Sequence, residues 1–309
     1  MSDPVRIGLN GFGRIGRNVM RASLENDDIE VVGVNDVMDD NEIGYFAQYD
    51  TVMGELPGAS VDDGVLTVDG TDFEAGVFHE TDPTQLPWED LDVDVAFECT
   101  GIFRTYDDAA QHIEAGADKV LISAPPKGEK EVKQIVYGVN HQEYDGERIV
   151  SNASCTTNSV TPVAQVLDES FGIESGTLTT VHAYTGSQNL VDGPKGKTRR
   201  GRAAAENIVP TSTGAAQAAT QILPQLEGKL DGMAMRVPVP NGSITELVVD
   251  LETNPTATAV NDAFRDAADS GPLAAALGYT ADGGRASDLV GPPFSPAVAP
   301  PSTNALAAD

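Results

Sequence analysis

The sequence predicts an α/β protein in two parts, and three observations support this prediction. Up to about residue 150, short apolar strand patterns alternate with helical ones, which is typical of a parallel sheet covered by helices. A glycine-rich turn joins the first strand to the first helix. Beyond residue 150 the strands alternate apolar and polar residues, which favours a mostly antiparallel sheet. At 309 residues, the chain is long enough for two domains with a core each.

The glycine-rich turn has the pattern G-x-G-x-x-G, formed by Gly11, Gly13 and Gly16. Alone this pattern is weak, but here it lies between an apolar strand (5–9) and a helical stretch (14–24). A second strand (29–34) is followed by Asp36, 20 residues after Gly16, where a dinucleotide fold places a carboxylate on the ribose. The first part is therefore predicted to be a Rossmann-type domain. Because Asp36 would repel a 2′-phosphate, NAD is favoured over NADP.

The remaining elements follow from the same patterns. In residues 1–150 we predict further strands at 93–98, 119–123 and 134–139, a helix at 106–115 and a hairpin-rich insertion at 50–80. In residues 151–309 we predict an α+β catalytic domain with strands at 177–181 and 244–251 and helices at 156–171, 213–226 and 257–268.

The segment S-N-A-S-C-T-T-N at residues 151–158 places Cys155 at the start of a helical pattern, with Ser154 or Asn152 as the cap. A thiol there is close to the positive end of the helix dipole and to unpaired N–H groups, which favour the thiolate. A buried structural cysteine is the alternative. The hydroxyl and amide neighbours fit that alternative poorly, so the pattern predicts a nucleophile.

Several further motifs accompany these two in order: V-N-D, E-C-T-G, I-S-A-P, T-V-H-A-Y-T, S-T-G-A-A and M-A-M-R-V-P. Together they resemble the phosphorylating glyceraldehyde-3-phosphate dehydrogenases, and the likeness runs from Val5 to about Tyr279. The resemblance implies that His182, which ends the strand T-T-V-H, is the catalytic partner of Cys155. A Cys–His pair suits acyl chemistry at a thiol, because the imidazole accepts the thiol proton and then supports an oxyanion.

The resemblance also implies the ligands of the cofactor and of two phosphates. The residues expected to bind NAD are Gly11, Phe12, Gly13, Arg14, Ile15, Gly16, Asp36 and Ser123. The ligands expected for the substrate phosphate are Thr185, Arg200 and Arg236. Those expected for the attacking phosphate are Ser154, Thr156, Thr213 and Gly214. Arginine supplies paired donors, and S-T-G opening a helix supplies N–H groups and a hydroxyl. Ser187 and Asn189 receive no role.

The resemblance implies oxidation of glyceraldehyde 3-phosphate with inorganic phosphate, through a thioester on cysteine, to 1,3-bisphosphoglycerate in glycolysis. Erythrose-4-phosphate dehydrogenase activity and a non-catalytic NAD-binding scaffold remain alternatives. A cytoplasmic homotetramer is expected, in agreement with two cysteines and no leader or membrane-spanning pattern. Five basic residues within positions 195–202 predict an anion site or a subunit contact, and it stays open whether Arg199, Arg200 or Arg202 binds phosphate.

The other histidines have no comparable context. We expect His79, His112 and His141 to be structural or surface residues. The sequence shows no ligand spacing typical of a zinc site, so no metal is predicted.

The last part of the chain departs from the resemblance. Residues 289–308 contain no charged side chain and five prolines, a composition more typical of a flexible tail than of packed structure. The family's W-Y-D-N-E-like strand and final helix are not recognisable there. We interpret residues 289–309 as an atypical tail, misread or disordered, and favour a reading-frame error near Gly283.

The net charge is −29, from 48 acidic and 19 basic residues, of which seven are lysines. Such an excess repels nucleic acids and anionic membranes, so neither is an expected partner. It also destabilises the compact state unless counter-ions screen the repulsion. Few lysines among many carboxylates are typical of a protein adapted to high salt, and a merely acidic mesophilic enzyme is the less favoured alternative.

Stability and activity are expected to rise with salt into the molar range. The Debye length shrinks from about 10 Å at 0.1 M to about 3 Å at 1 M, so molar KCl leaves only adjacent carboxylates repelling one another. Thermal midpoints in KCl and in sulfate measure this effect. Screening predicts a gain in both salts, whereas simple salting-out of apolar surface favours sulfate strongly over chloride. A midpoint that stays flat or falls in KCl contradicts salt adaptation.

Overall fold

A computed structural model describes residues 3–280, 284–291 and 296–305. The chain divides into two compact units. The first unit comprises Met1–Ile135 and Tyr144–Ala153, and the second comprises Val136–Glu143 and Ser154–Asp309. The boundary expected between residues 150 and 151 thus lies at 153/154, and one short segment belongs to the second unit. The α/β fold class is confirmed.

The first unit is an α/β unit built on one large sheet. Its strands are β1 (Val5–Asn10), β2 (Ile29–Asn35), β3 (Tyr49–Asp50), β4 (Gly54–Glu55), β5 (Ala59–Asp62), β6 (Val65–Val68), β7 (Glu74–Phe78), β8 (Val95–Glu98), β9 (Lys119–Ile122), β10 (Lys133–Gln134) and β11 (Ile149–Ser151). Its helices are α1 (Arg14–Ser23), α2 (Asp40–Gln48) and α3 (Tyr106–Glu114). The helix α2, which the sequence patterns did not predict, begins with a capping box between Asp39 and Glu42.

The order of the sheet creates a ligand-binding edge. The strands run β10-β11-β9-β8-β1-β2-β7-β6-β5, and all neighbours from β10 to β7 are parallel. From β1 the chain passes through α1 to β2 on one side, while β8 pairs with the other side of β1. At such a reversal of strand order the carboxyl ends of the strands leave a crevice where ligands bind. The glycine-rich turn follows β1 directly at this edge.

The insertion at residues 50–80 is confirmed as hairpin-rich, since β5 and β6 are antiparallel, as are β6 and β7. It also extends the main sheet, because β7 pairs in parallel with β2. The strand predicted at 134–139 is wrong beyond Gln134. Gly138 has φ +86°, outside the strand region, and a Cβ there would lie 3.1 Å from Leu273 Cδ2 and 3.2 Å from Ala276 Cβ, both in the second unit.

The second unit packs helices on a mixed sheet. Its strands are β12 (Ile173–Ala183), β13 (Val209–Ser212), β14 (Leu230–Val237), β15 (Ser243–Leu251), β16 (Gly278–Tyr279) and β17 (Ala297–Val298). Its helices are α4 (Cys155–Phe171), α5 (Ala215–Ile222) and α6 (Ala257–Asp269). The main sheet runs β13-β14-β12-β15 and is antiparallel except between β12 and β14. The predicted helix 213–226 is shorter than expected, because Pro224 follows its end.

The prediction that residues 289–309 form an unstructured tail is wrong at β17. Ala297–Val298 pairs in parallel with Gly278–Tyr279, and Thr303 Oγ1 donates to Asn261 Oδ1 at 2.7 Å. A two-residue pairing uses only backbone groups, so it leaves no side-chain pattern to read. Gly283, where we placed a reading error, lies outside the described residues, as do Pro292 and Pro293. No helix among the described residues has the length and apolar character needed to span a membrane.

Candidate active site

The glycine-rich turn (residues 11–16) makes close backbone contacts that only glycine permits. Gly11 has φ +97°, and a Cβ there would lie 2.6 Å from Thr100 N and 2.8 Å from the Cys99 carbonyl carbon. A Cβ on Gly16 would collide with the Gly11 carbonyl oxygen. A Cβ on Gly13 would instead meet nothing within 4 Å. The turn is therefore tight against β8 and open towards the start of α1.

The open side offers hydrogen-bond donors. Gly13 is the N-cap of α1 and supplies no side chain to the first N–H groups of the helix, and Gly13, Arg14 and Ile15 are exposed. Uncapped N–H groups at the positive end of a helix suit a pyrophosphate. Phe12, by contrast, is fully buried. The uncapped helix start and the open space at Gly13 fit the pyrophosphate of NAD.

Asp36 lies directly after β2 and is fixed by two backbone donors. Its Oδ2 accepts from Phe12 N at 2.6 Å, and its Oδ1 accepts from Met38 N at 3.1 Å. The carboxylate therefore contacts the glycine-rich turn itself and keeps lone pairs for ribose hydroxyls. Ser123 follows β9 in the same unit, and its N–H donates to Glu98 O at 3.0 Å.

The two cysteines differ sharply. Cys99 is free and partly buried, and desolvation, reinforced by the charge of Glu98, raises the pKa of its thiol to about 12 despite a hydrogen bond to Ser123. Cys155 is free and exposed. A thiolate is the nucleophilic form, so Cys99 is unsuited to nucleophilic catalysis at neutral pH and Cys155 is the candidate nucleophile.

Cys155 is the first residue of α4, and Ser154 is the cap, with its Oγ accepting from Thr157 N at 2.9 Å. Of the two predicted caps, the structure thus selects Ser154. Cys155 Sγ lies 3.3 Å from His182 Nε2, near the end of β12. Desolvation opposes ionisation of the thiol, but it is outweighed by the hydrogen bond and charge of His182 and by hydrogen bonds from Thr156. The pKa of Cys155 is consequently lowered from its ordinary value.

The other nitrogen of His182 fixes the tautomer of the ring. His182 Nδ1 lies 2.7 Å from the Ala183 carbonyl oxygen, which can only accept a hydrogen bond. Nδ1 therefore carries a proton, and Nε2 is available to accept one from the Cys155 thiol. This orientation is the one that a general base for Cys155 requires.

Arg236 is aligned with His182 by strand pairing, since the two residues are register partners in β14 and β12. Its Nη1 donates to the same Ala183 oxygen at 2.9 Å and to Thr185 Oγ1 at 3.3 Å. Its buried Nε has no hydrogen-bond partner among the described residues. Burial and the charge of Arg200 lower the pKa of Arg236, while the charge of Cys155 partly offsets this effect. Two neighbouring guanidiniums favour binding of an anion.

The basic run separates into residues with different surroundings. Arg200 is partly buried, and its Nε and Nη2 donate to Thr211 Oγ1 at 3.2 and 3.0 Å. Arg202 is exposed and forms an ion pair with Asp192 at 2.9 Å. Arg199 is also exposed. Among the three arginines, these contacts favour Arg200 as the phosphate ligand.

We call the group that surrounds the two guanidiniums the arginine cluster; it consists of Thr185, Ser187, Arg200, Thr211 and Arg236. Sequence reasoning missed two members, Ser187 and Thr211. Ser187 Oγ lies 2.8 Å from Thr185 Oγ1 and accepts from Arg200 Nη1 at 3.4 Å. Thr211 lies in the strand just before S-T-G, a position that could have been recognised as adjacent to the predicted phosphate ligand Thr213.

The residues predicted for the attacking phosphate lie at two helix starts. Ser154 and Thr156 lie at the start of α4, and Thr213 and Gly214 precede α5, with Thr213 Oγ1 accepting from Ala215 N at 3.2 Å. The helices α4 and α5 pack against each other. Among the described residues, no hydrogen bond links these four residues to the arginine cluster, whereas Cys155 and His182 contact each other directly.

The remaining histidines are accounted for by local contacts. His79 Nε2 lies 3.0 Å from Asp40 Oδ1 at the surface, and His141 Nδ1 accepts from Gly138 N at 3.0 Å. His112 is fully buried. Within residues 3–280, 284–291 and 296–305, no group of three or more His, Cys, Asp or Glu side chains is arranged to bind a metal ion.

Comparison with known proteins identifies the family to which both parts of the chain belong. Residues 5–106 match the family model of the glyceraldehyde 3-phosphate dehydrogenase NAD binding domain, and residues 154–309 match that of the C-terminal domain. The expectation that the likeness ends near Tyr279 is therefore wrong. Our expectation rested on missing motif letters, whereas a family model weighs every position.

Curated relatives cover nearly the whole chain. A glyceraldehyde-3-phosphate dehydrogenase of halophilic Haloarcula vallismortis is 76% identical over 306 residues, covering 99% of this chain and 91% of the relative. That of Streptomyces coelicolor is 52% identical over 295 residues, covering 94% and 87%. That of Priestia megaterium is 50% identical over 279 residues, covering 89% and 82%. With both family domains and these relatives matched, the chain belongs to the glyceraldehyde-3-phosphate dehydrogenase family and is an NAD-dependent oxidoreductase.

Proposed function

We propose that this chain oxidises glyceraldehyde 3-phosphate with NAD and inorganic phosphate, yielding 1,3-bisphosphoglycerate through a thioester on Cys155. One observation carries the proposal: Cys155 Sγ lies 3.3 Å from His182 Nε2, and the Ala183 oxygen fixes the other ring nitrogen. This arrangement suits a thiolate nucleophile with an adjacent base.

The first step forms a carbon–sulfur bond. His182 Nε2 accepts the Cys155 proton, and the thiolate attacks the aldehyde carbon to give a hemithioacetal. The developing alkoxide is stabilised by the Cys155 backbone N–H and by the protonated Nε2 of His182. Nε2 donates its proton to the alkoxide, which gives the hydroxyl of the hemithioacetal. The same nitrogen, now unprotonated, then takes this proton back, so that the carbonyl forms again as a hydride leaves the carbon.

Bound NAD supplies the acceptor for that hydride. The product left on the chain is a thioester, which retains the free energy of oxidation. Attack by a phosphate oxygen on the thioester carbon expels the Cys155 thiolate and releases the acyl phosphate. The S-T-G segment at Thr213 and the start of α4 at Ser154 and Thr156 are proposed to orient the attacking phosphate.

The arginine cluster is proposed to bind the phosphate already present on the substrate. Thr185, Arg200 and Arg236 were expected there, and the two guanidiniums lie close enough for Arg200 to lower the pKa of Arg236. A phosphate dianion would relieve this repulsion and supply a partner for the buried Arg236 Nε. The aldehyde end of such a substrate would then extend towards Cys155, whose charge also acts on Arg236.

The alternatives are less favoured. The three relatives described above are named glyceraldehyde-3-phosphate dehydrogenases, which supports the three-carbon aldehyde over erythrose 4-phosphate. The lowered pKa of Cys155 supports catalysis over a non-catalytic scaffold. We further propose a homotetramer in the cytoplasm. The exposed apolar side chains Ile244, Val248 and Met233 on the sheet support self-association, and two free thiols suit a reducing compartment.

Replacing His182 by Asn should raise the pKa of Cys155, since the desolvation of the thiol is then no longer outweighed. The rate of alkylation by iodoacetamide, followed from pH 5 to 10, should therefore reach half its maximum at higher pH than in the parent protein. Turnover should fall roughly 10²–10⁴-fold, as expected on loss of a general base. Cys155→Ser is the control that assigns the alkylated thiol, because Cys99 remains. An unchanged midpoint would show that the two side chains are not coupled.

Replacing Arg200 by Gln should raise KM for glyceraldehyde 3-phosphate by roughly 10–100-fold, the equivalent of ~1.5–3 kcal/mol for a hydrogen bond to a charged group. Arg202→Gln is the matched control two residues away, since its ion pair with Asp192 is exposed and screened by solvent. Steady-state kinetics on both variants measure the difference. Equal changes in the two would mean that Arg200 does not bind the phosphate.

Replacing Asp36 by Ala should weaken NAD and remove the repulsion of NADP. The ratio of kcat/KM for NAD to that for NADP should shift towards NADP by about tenfold or more, which corresponds to ~1.4 kcal/mol. Asp28→Ala removes an equal charge just before the amino end of β2 and should leave the ratio unchanged. If both variants keep the parent ratio, Asp36 does not contact the ribose.

A further inference from the structure

A row of buried polar side chains crosses the carboxyl edge of the first unit's sheet. Glu98, Asn10 and Asn35 end the neighbouring strands β8, β1 and β2 and are 0%, 2% and 3% exposed. Asn10 Oδ1 accepts from Asn35 Nδ2 at 2.7 Å, and Asn35 in turn exchanges two hydrogen bonds with the backbone of Glu80. The mechanism proposed above uses none of these side chains.

Glu98 lies at the β8 end of this row, and hydrogen-bond donors face both oxygens of its carboxylate. Its Oε2 accepts from Asn10 Nδ2 at 2.6 Å and lies 3.3 Å from His112 Nε2. Its Oε1 accepts from Thr100 N at 2.8 Å and forms a second, short hydrogen bond with Thr100 Oγ1. A carboxylate that only accepts matches four donors at once, and no Lys or Arg is among these partners.

His112 supplies a further donor to Glu98, and Trp88 fixes which ring nitrogen of His112 carries the proton. Trp88 is fully buried, and its Nε1–H donates to His112 Nδ1 at 3.1 Å. Because an indole N–H can only donate, Nδ1 is the accepting nitrogen and the ring proton lies on Nε2, facing Glu98. His112 Nε2 also lies 3.4 Å from Asn10 Nδ2, which in this tautomer is a contact between two donors. The tryptophan thereby determines that the His112 nitrogen facing the carboxylate carries the ring proton.

The row ends at the glycine-rich turn. A Cβ on Gly11 would lie 2.6 Å from Thr100 N, the same N–H that Glu98 Oε1 accepts. The backbone of residue 100 is thus the surface against which the turn packs, and Glu98 determines where that backbone lies. Asn10, which immediately precedes Gly11, is bound by the other oxygen of the same carboxylate.

We propose that Glu98 is a positioning residue for NAD, and that it acts by fixing both sides of the glycine-rich turn, Asn10 before it and Thr100 beneath it. His112 and Trp88 act through Glu98 by presenting a donor to its Oε2. The inference deepens the proposed function, since it rests on the assignment of the turn to the pyrophosphate of NAD.

A carboxylate is needed at position 98 because hydrogen-bond donors face both of its oxygens. Glutamine at position 98 has the same shape but presents an NH₂ group to one set of donors. If its oxygen faces Thr100, the NH₂ group faces Asn10 Nδ2 and His112 Nε2. His112 cannot move its ring proton from Nε2 to Nδ1, because the Nδ1–H would then face the Trp88 N–H, which is also a donor. One side of the turn therefore loses its hydrogen bonds.

The test compares Glu98→Gln with Val120→Ala, a core variant of the same unit. Val120 is fully buried in an apolar cluster that includes no residue of the glycine-rich turn. Calorimetric titration with NAD and with ADP-ribose measures binding, thermal midpoints measure stability, and steady-state kinetics separate KM for NAD from kcat. We expect Kd for NAD and for ADP-ribose to rise about tenfold in Glu98→Gln, the equivalent of ~1.4 kcal/mol. Its KM for NAD should rise more than its kcat falls.

Equal NAD affinity in Glu98→Gln and Val120→Ala, at similar losses in thermal midpoint, would overturn the proposal. If Glu98→Gln does not fold, Trp88→Phe gives the second test, since it removes the indole donor and keeps an aromatic ring. Weaker NAD binding by Trp88→Phe than by Val120→Ala supports the proposal, and equal binding overturns it. The Asp36→Ala variant separates a failure of this proposal from a failure of the assigned NAD site. If Asp36→Ala shifts the cofactor preference towards NADP while Glu98→Gln leaves Kd for NAD unchanged, only the positioning role of Glu98 is rejected.

Discussion

The Ala183 carbonyl oxygen accepts hydrogen bonds from both His182 Nδ1 and Arg236 Nη1, so one backbone atom orients the base and the cation of the second unit. The parallel pairing of β12 with β14 makes this possible, because it places His182 and Arg236 side by side. With Nδ1 occupied, only Nε2 faces Cys155. The positions of Cys155, His182 and Arg236, to which we assign the proposed nucleophile, base and phosphate ligand, therefore depend on a single point of the sheet.

The first unit fixes its own ligand-binding residues in a similar way. Asp36 accepts a hydrogen bond from Phe12 N within the glycine-rich turn, and Gly11 packs on the backbone of residue 100. Both contacts join the ends of neighbouring parallel strands at the edge where the strand order reverses. Backbone groups take part in both of these contacts, and exposed backbone N–H groups suit a site for a pyrophosphate.

The distribution of charge gives the few basic residues distinct functions. In a chain with a net charge of −29, Arg200 and Arg236 lie near each other, and the nearby Arg202 is instead neutralised by Asp192. An acidic surface remains soluble where salt screens it, and it also repels other anions from the protein. Among the described residues Arg200 and Arg236 form no ion pair, which supports the proposed binding of a phosphate by the arginine cluster within an otherwise anionic protein.

The motifs that depend on local geometry can be predicted from the sequence alone: the glycine-rich turn, the start of α4 at Cys155 and Asp36 after β2. Glycine, capping and spacing rules act over a few residues, so they can be read directly. Three other features depend on how the chain folds: Ser187 and Thr211 contact Arg200, β12 and β14 are parallel, and His112 joins Trp88 to Glu98. These contacts join residues far apart in the chain, and register and burial select them rather than any local pattern.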